Sequence, residues 1–547
     1  MRFLIAATAL GLVPLDAFAC GGFFCGPQQP VYQAGEEIVF GIDSEVCEVS
    51  AHISIVYNGA AEDFAWIVPV AGQPELFPSS SAIFSAIRRQ TDPFYNLQRE
   101  ENGVCDVTVG AQDFAVAESG DAFGWDDGVN VVDEDQVGPY DTVVLQALDS
   151  GVLLTWLQNE GYELPSNLEP VLQPYVADNQ YFVALKLASG QDTGNLSPLG
   201  MRYDGCAANI PIQLTSIAAN PDMPIDVYVF GDSRAVPDNY LHVELNEAAI
   251  DWYNLGSNVV DVIGNAADEA GGQAFSTMFA DSTDALGVGD FDDMDLTADD
   301  LAIAPDAYAF MSLLAAKRIP FASTELIAIL EDQVPFPQEL ADSGVAQASF
   351  YQCMDCFWVE PDLSQFDAAV AAARIEAEVF PGLTEAEALF SSYAHFTRLT
   401  TTMNPEEMTA DPVFVLNSDL PQQVSNTHNA RDIVNCGVLE GNRGAERILE
   451  LDDGRRIKLP SRRWLDERGL TEFEVTEPLH TPAAILIQDF GAEGEGEIVF
   501  DYREDAIRDA RRFGRPGCAC TQAPSTLAAG GWFAMLLPWL VRRRIRS

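Results

Sequence analysis

The chain has 547 residues, 48% hydrophobic and 10% aromatic, enough apolar material for one large core or several ordinary ones, which excludes a disordered chain. Its 84 acidic against 29 basic residues leave a formal net charge of -55, which excludes nucleic acid as a partner because phosphate binding needs clustered Lys and Arg. So much negative charge reads first as a well-solvated exterior and second as a surface able to attract divalent cations.

Residues 1–19 carry Arg2, an apolar stretch from Phe3 to Leu15, and Ala17-Phe18-Ala19 before Cys20. That is the layout of a secretory signal peptide, with an apolar part too short to span a bilayer and removal expected after Ala19. Lipidation of Cys20 is the weaker reading, because Ala17-Phe18 departs from the leucine-led pattern before a lipidated cysteine. Export would place ten cysteines in an oxidising space. Two close pairs are disulfide candidates: Cys20 with Cys25 across two glycines, and Cys353 with Cys356 in YQCMDCFW. The second pair could instead serve zinc or redox chemistry. However, no second C-x-x-C or H-x-x-x-H completes a zinc set, and Glu360-Pro361 follows where a redox motif would need a helix. The other pairings stay open.

From Glu36 to Val70 three runs rich in Val, Ile, Phe and Trp predict a meander, with His52 on the polar face of the second strand. Ser79 to Gln90 reads as a serine-capped helix, and the acidic stretch Glu118 to Gln136 as a loop. PYDTVVLQAL is a strand leading into a helix capped by Asp149 or Ser150, followed by a helix and strand in LEPVLQPYVADNQYFVALKLAS. SPLGMRY, IPIQLTSI, MPIDVYVFGD and YLHVELN give four further strand candidates. Beyond Asp251 helical periodicity takes over: Gly256 to Ala270, Ala304 to Lys317, Ser323 to Asp332, Gln365 to Val379 and Thr384 to Thr397. Between these helices Asp290, Asp292, Asp293 and Asp295, with Asp299 and Asp300, invite calcium. The glycine and glutamate of an EF-hand loop are missing, so a solvated, helix-capping linker is the simpler reading. After about Gly441, ERILELDDGRRIKLP carries a hairpin signal at Asp453-Gly454, AAILIQDF and GEIVFDY form a second strand pair, and a basic helix follows.

The expected class is therefore α+β: an antiparallel β-rich first half, a helix-rich second half and a small β-hairpin module before a C-terminal transmembrane segment. The expected divisions are a signal peptide over 1–19, a β-rich part over 20–250, a helix-rich part over 251–440, the hairpin module with its basic helix over 441–515, and the tail over 516–547.

Catalytic signatures are absent: no G-x-S-x-G, H-E-x-x-H, phosphate loop or dinucleotide fingerprint occurs. Of the five histidines, His395 reads as a structural hydrogen-bonding residue on a helix. His428, in the loop-like VSNTHNARDIVNC among Asn, Thr, Arg and Asp, is the better functional candidate.

CGGFFC, PVYQAGEEIVFGID and FAWIVPV resemble the start of an exported bacterial family described as domain of unknown function 2330. The resemblance continues through YDTVVLQALDSGVLLTWLQNEGYELP to FTRLTTTMNPEEMTADPVF, covering most of the chain up to about Cys436. It implies no catalytic residues. The tail, with Cys518, Cys520, an apolar run and Arg542, Arg543 and Arg544, resembles the myxobacterial C-terminal sorting signal. Leu527 to Val541 would make a helix of about 22 Å against a hydrocarbon core of about 30 Å, a weak span oriented by the cytoplasmic arginines. The expected partners are thus the membrane and a sorting protease, with a protein or glycan partner not identifiable.

Three functions follow as expectations. The first is an exported cell-envelope or surface-tethered protein acting as a structural or binding component. The second is an extracellular hydrolase whose site, near His428, is assembled from distant residues. The third is a calcium-dependent adhesion module.

Overall fold

The computed structural model describes residues 23–24, 32–58, 65–102, 130–137, 140–160, 168–187, 197–287, 296–316, 319–321, 323–435, 446–459 and 482–504. The expected signal peptide, the Cys20–Cys25 pair, Asp290, Asp292, Asp293, Asp295, the basic helix after Glu504 and the tail with Cys518, Cys520, Arg542, Arg543 and Arg544 lie outside them.

Strand β1 (Phe23–Phe24) precedes the hairpin of β2 (Tyr32–Asp43) and β3 (Glu48–Asn58), which turns where Asp43 Oδ1 accepts from the Glu45 and Val46 amides. β4 (Ala65–Val70) and β5 (Glu75–Pro78) lead to α1 (Ser81–Thr91), whose N-cap Ser80 accepts from the Ala82 amide, and to β6 (Phe94–Asn102). β7 (Asn130–Val137) and β8 (Tyr140–Gln146) come before α2 (Ser150–Asn159), capped by Asp149, then α3 (Leu168–Ala177) and β9 (Tyr181–Leu187). β10 (Leu199–Asp204), β11 (Ala208–Asn209), the single turn α4 (Ile212–Thr215), β12 (Met223–Gly231), β13 (Ala235–Pro237) and β14 (Leu241–Leu245) follow. After α5 (Val259–Glu269) and β15 (Ala274–Ser282) comes a helical layer. It holds α6 (Ala298–Ala302), α7 (Ala307–Ala316), α8 (Thr324–Gln333), α9 (Gln338–Ala341), α10 (Gln347–Gln352), α11 (Ala368–Glu378) and α12 (Phe380–Ser392). The chain then returns to strands: β16 (His395–Met403), β17 (Val413–Leu416), β18 (Thr427–Asn435), β19 (Glu446–Leu451), β20 (Arg456–Leu459), β21 (Ala484–Asp489) and β22 (Glu497–Asp501).

The architecture is mixed α and β around a ten-stranded sheet of order β22-β21-β14-β15-β16-β12-β2-β3-β10-β5. It is mostly antiparallel, with β2 parallel to β12 and β14 parallel to β15. Both faces of its centre are covered. Along β2, Ile38, Phe40 and Ile42 enter one core with Val227, Val229 and Leu399, whereas Val39 enters the other with Tyr228, Phe230 and helices α7 to α12. Double burial explains why these strands read as continuous apolar runs rather than clean alternations. A five-stranded sheet of order β1-β4-β9-β8-β7 packs on α2 and α3, and a four-stranded sheet of order β20-β19-β18-β6 shares a core with α5 and β14.

Several expectations need correction. The meander stops after two strands, because β4 pairs with β9 in the five-stranded sheet. Part of the acidic stretch expected as a loop is strand β7, recruited to the sheet edge by backbone pairing with β8. IPIQLTSI contains the helical turn α4 instead of a strand. The helix expected to run to Thr397 ends at Ser392, and His395 opens β16, a threonine-rich strand buried along its whole length. His52 is buried, not exposed: the Phe77 ring meets its imidazole edge-on at 5.4 Å, and its Nδ1 lies 2.8 Å from Ser79 Oγ. Burial, reinforced by the nearby Arg202 charge, pulls its imidazole down to about 3 and keeps it neutral.

The strands after residue 440 do not form a sheet of their own: β19 pairs with β18, and β21 pairs with β14. The ten-stranded sheet likewise takes β14 from one side of residue 250 and β15 and β16 from the other.

Candidate functional site

Where the end of the large sheet meets the four-stranded sheet, a cleft of about 860 Å³ opens between β14, β15 and β21 on one side and β18 with the β19–β20 turn on the other. The segment 419–425 completes its wall. Two groups of residues line it, one built on His428 and one that sequence reasoning did not single out.

The first group is built on His428. This residue is not loop-borne, because it stands at the start of β18, in parallel register with Tyr95 of β6. Backbone pairing thereby lays the two rings together, stacked at 4.7 Å with 16° between their planes. Trp252 meets the other side of Tyr95 edge-on at 5.3 Å. Nδ1 of His428 lies 2.8 Å from Glu247 Oε1, and the two side chains are about equally half-buried. Glu247 is fixed by a one-turn helix over 247–249 whose cap, Asn246, accepts from the Ala248 amide and donates to the Pro482 carbonyl. Gly256 allows the close approach of Tyr95: its φ is +77°, and a Cβ there would overlap the ring. Burial and the Glu247 charge push the Tyr95 hydroxyl far above its ordinary range, so it stays protonated. At the neighbouring wall Arg455 is held by Asp453 at 2.5 Å and by Asn246 at 2.6 Å, which ties the Asp453-Gly454 hairpin to the same support.

The second group is Arg234, His242 and Thr277. Arg234 follows β12 and is only 6% exposed. Its Nη2 donates to Thr277 Oγ1 at 3.0 Å and its Nη1 to the Pro421 carbonyl at 3.2 Å. His242 on β14 is buried, with Nε2 3.0 Å from the same Thr277 hydroxyl and accepting from the Thr277 amide at 3.3 Å. An amide N–H can only donate, so Nε2 bears no proton and the neutral ring carries it on Nδ1. Burial and then the Arg234 charge pull His242 down to about 3, keeping it neutral. Phe490 covers both residues, with its ring 4.8 Å from His242 and 5.9 Å from the Arg234 guanidinium carbon. Two buried donors in this group have no acceptor among the described residues, Arg234 Nε and His242 Nδ1.

The remaining candidates lie elsewhere. His395 makes the structural hydrogen bond expected of it, from Nε2 to the Gln422 carbonyl at 2.8 Å, although on a strand. Cys353 and Cys356 are joined as a disulfide, and so are Cys47 and Cys206, a pairing the sequence left open. Among the described residues, the one grouping of three potential metal-ligand side chains is Cys353, Asp355 and Cys356, whose thiols are consumed by that disulfide. Asp300 forms a capping box with Thr297 at the start of α6, the helix-capping part expected of the acidic linker. No helix among the described residues is long and apolar enough to cross a membrane.

Neither the curated proteins nor the solved structures give a match to this chain. One family does match, over residues 14–325, more than half of the sequence, and it accounts for β1 to β15 and the first helices of the layer. The chain belongs to that family, DUF2330, described as an uncharacterized protein conserved in bacteria.

Proposed function

We propose that the protein is an exported, disulfide-bonded component of the bacterial cell envelope that binds a small ligand in the cleft between its ten-stranded and four-stranded sheets. The carrying observation is the cleft itself: about 860 Å³, within the size range of small-molecule sites, with apolar side chains such as Leu245, Ile485, Leu486 and Phe490 interspersed with polar and acidic ones. Disulfides at Cys47–Cys206 and Cys353–Cys356 are compatible with folding in an oxidising compartment. The sequence of residues 1–19 supports export, and that of 516–547 supports tethering followed by a sorting protease. Intact Ser547 on soluble cytosolic protein would count against this placement.

The test is native mass spectrometry of protein purified from its own host, as wild type and as Ser425→Trp. Ser425 is exposed and lines the cleft, so the indole fills the opening without disturbing the core. A bound small molecule present in the wild type and lost in the variant is expected; equal occupancy of both refutes the reading.

A second reading, hydrolysis, is favoured by one observation. Glu247 engages Nδ1 of His428, which fixes the ring and leaves Nε2 for a substrate proton, the arrangement of a general base held by a carboxylate. If this reading holds, His428→Gln abolishes turnover while ligand retention persists; if binding alone is the function, no turnover exists to lose.

A further inference from the structure

Buried arginines among the described residues follow a rule with one exception. Arg398 meets Asp92 and Asp226, Arg447 meets Asp432, and Arg455 meets Asp453. Arg234, as buried as these, has no carboxylate partner among the described residues. In a chain with 84 acidic residues this is not a shortage of counter-ions. Burying a guanidinium without an opposite charge is costly, and here burial alone pulls it down to about 10. The unmet demand is shared by two neighbouring residues, since the Arg234 Nε–H and the His242 Nδ1–H are both buried donors lacking acceptors among the described residues. Both residues line the cleft, and Thr277 joins them by accepting from Arg234 and bonding to His242.

We propose that this part of the cleft is a carboxylate subsite, in which Arg234 and His242 together take the carboxylate of a small organic acid whose apolar body lies along Leu420 and Phe490. A planar carboxylate offers two acceptor oxygens and one negative charge, matching two N–H donors and one uncompensated cation. A phosphate dianion fits worse, because Glu244, Asp419, Asp452 and Glu495 also line the cleft and repel a second negative charge. Leu420 and Phe490 supply the apolar wall, belonging to one small buried cluster with Val236.

The inference rests on the binding reading of the cleft, and its test separates the two. The full-length mature protein is titrated calorimetrically with 3-phenylpropionate and with the neutral 3-phenylpropionamide, at constant ionic strength, as wild type, Arg234→Met, Arg234→Lys and Ser425→Trp. The acid is expected to bind wild type saturably, with the amide and the Arg234→Met variant each at least about 10-fold weaker. Arg234→Lys, which keeps the charge but loses the Nε–H, should fall between. Arg234→Met should also unfold no more easily than wild type without ligand, because it replaces an unpaired buried charge by an apolar chain; a structural arginine would show the opposite. Equal binding of acid and amide, unchanged binding in Arg234→Met, or no saturable binding of the acid to wild type overturns the subsite. Binding abolished by Ser425→Trp but indifferent to Arg234→Met would leave the cleft a binding site and overturn the carboxylate assignment alone.

Discussion

Glu36→Gln should stabilise the protein at high pH and do progressively less as the pH falls. Glu36 lies on β2, 4% exposed, where its carboxylate accepts from Gln33 Nε2 at 3.0 Å. Burial, opposed by that hydrogen bond and assisted by repulsion from Asp411, raises it from an ordinary 4.5 to about 7. A carboxyl whose folded value is raised binds its proton more tightly in the native state, so its contribution to stability is fully present below 4.5 and is lost as the pH rises through about 7. At about 1.4 kcal/mol per pH unit, the whole interval is worth about 3 kcal/mol, most of which falls between pH 5 and 8.5. Glutamine mimics the protonated acid and stays neutral, so the variant escapes this loss. Urea unfolding under non-reducing conditions at pH 5 and pH 8.5 measures the effect, and comparison with wild type cancels the titration of the other acids. A stability gap that does not grow with pH, or a variant weaker than wild type at pH 8.5, would refute the argument.

Other perturbations test the supports of the fold and the cleft. Removing the Cys47–Cys206 disulfide by paired alanines should cost about 5 kcal/mol, because it closes a loop with a sequence separation of 159, whereas removing Cys353–Cys356, with a separation of 3, should cost about 2. Denaturant midpoints of the two double variants check the ordering, and the reverse order would contradict it. Gly256→Ala should destabilise by about 1 to 3 kcal/mol, since its φ of +77° is unfavourable for alanine and the new methyl displaces Tyr95. The displaced ring should alter the near-ultraviolet dichroism of its neighbour Trp252 and weaken binding in the cleft; an unchanged spectrum would show that Tyr95 is not held there by contact with Gly256.

What the sequence disclosed was the local chemistry. Ser80 and Asp149 cap their helices as expected, the Asp453-Gly454 turn closes β19 onto β20, and MPIDVYVFGD is the strand it promised to be. What it concealed depends on partners far along the chain. His52 alternates like a surface residue, but the strand beside it is covered on both faces, so polarity no longer marks exposure. HFTRLTTTM looked like the end of a helix because its first three residues continue a helical run, yet pairing with β12 and β15 makes it strand. His428 was visible as a polar histidine, but Glu247 and Tyr95 are separated from it by 181 and 333 residues, and no spacing rule links them. Arg234 gave the faintest signal of all, a single arginine between two strands, whose distinction is the carboxylate it lacks.

The position of β16 sets the order in which this molecule can assemble. The strand fills the slot between β12 and β15, which are made more than a hundred residues earlier. Until residue 395 has emerged, both of those strands present unpaired backbone edges and a half-covered apolar face. The sheet therefore cannot zip up as the chain is synthesised; it closes late, through one long-range insertion, and a chain cut at residue 325 would carry two sticky edges instead of a finished sheet. Slow collapse of the first three hundred or so residues, until β16 is available to fill its slot, is what this single strand favours.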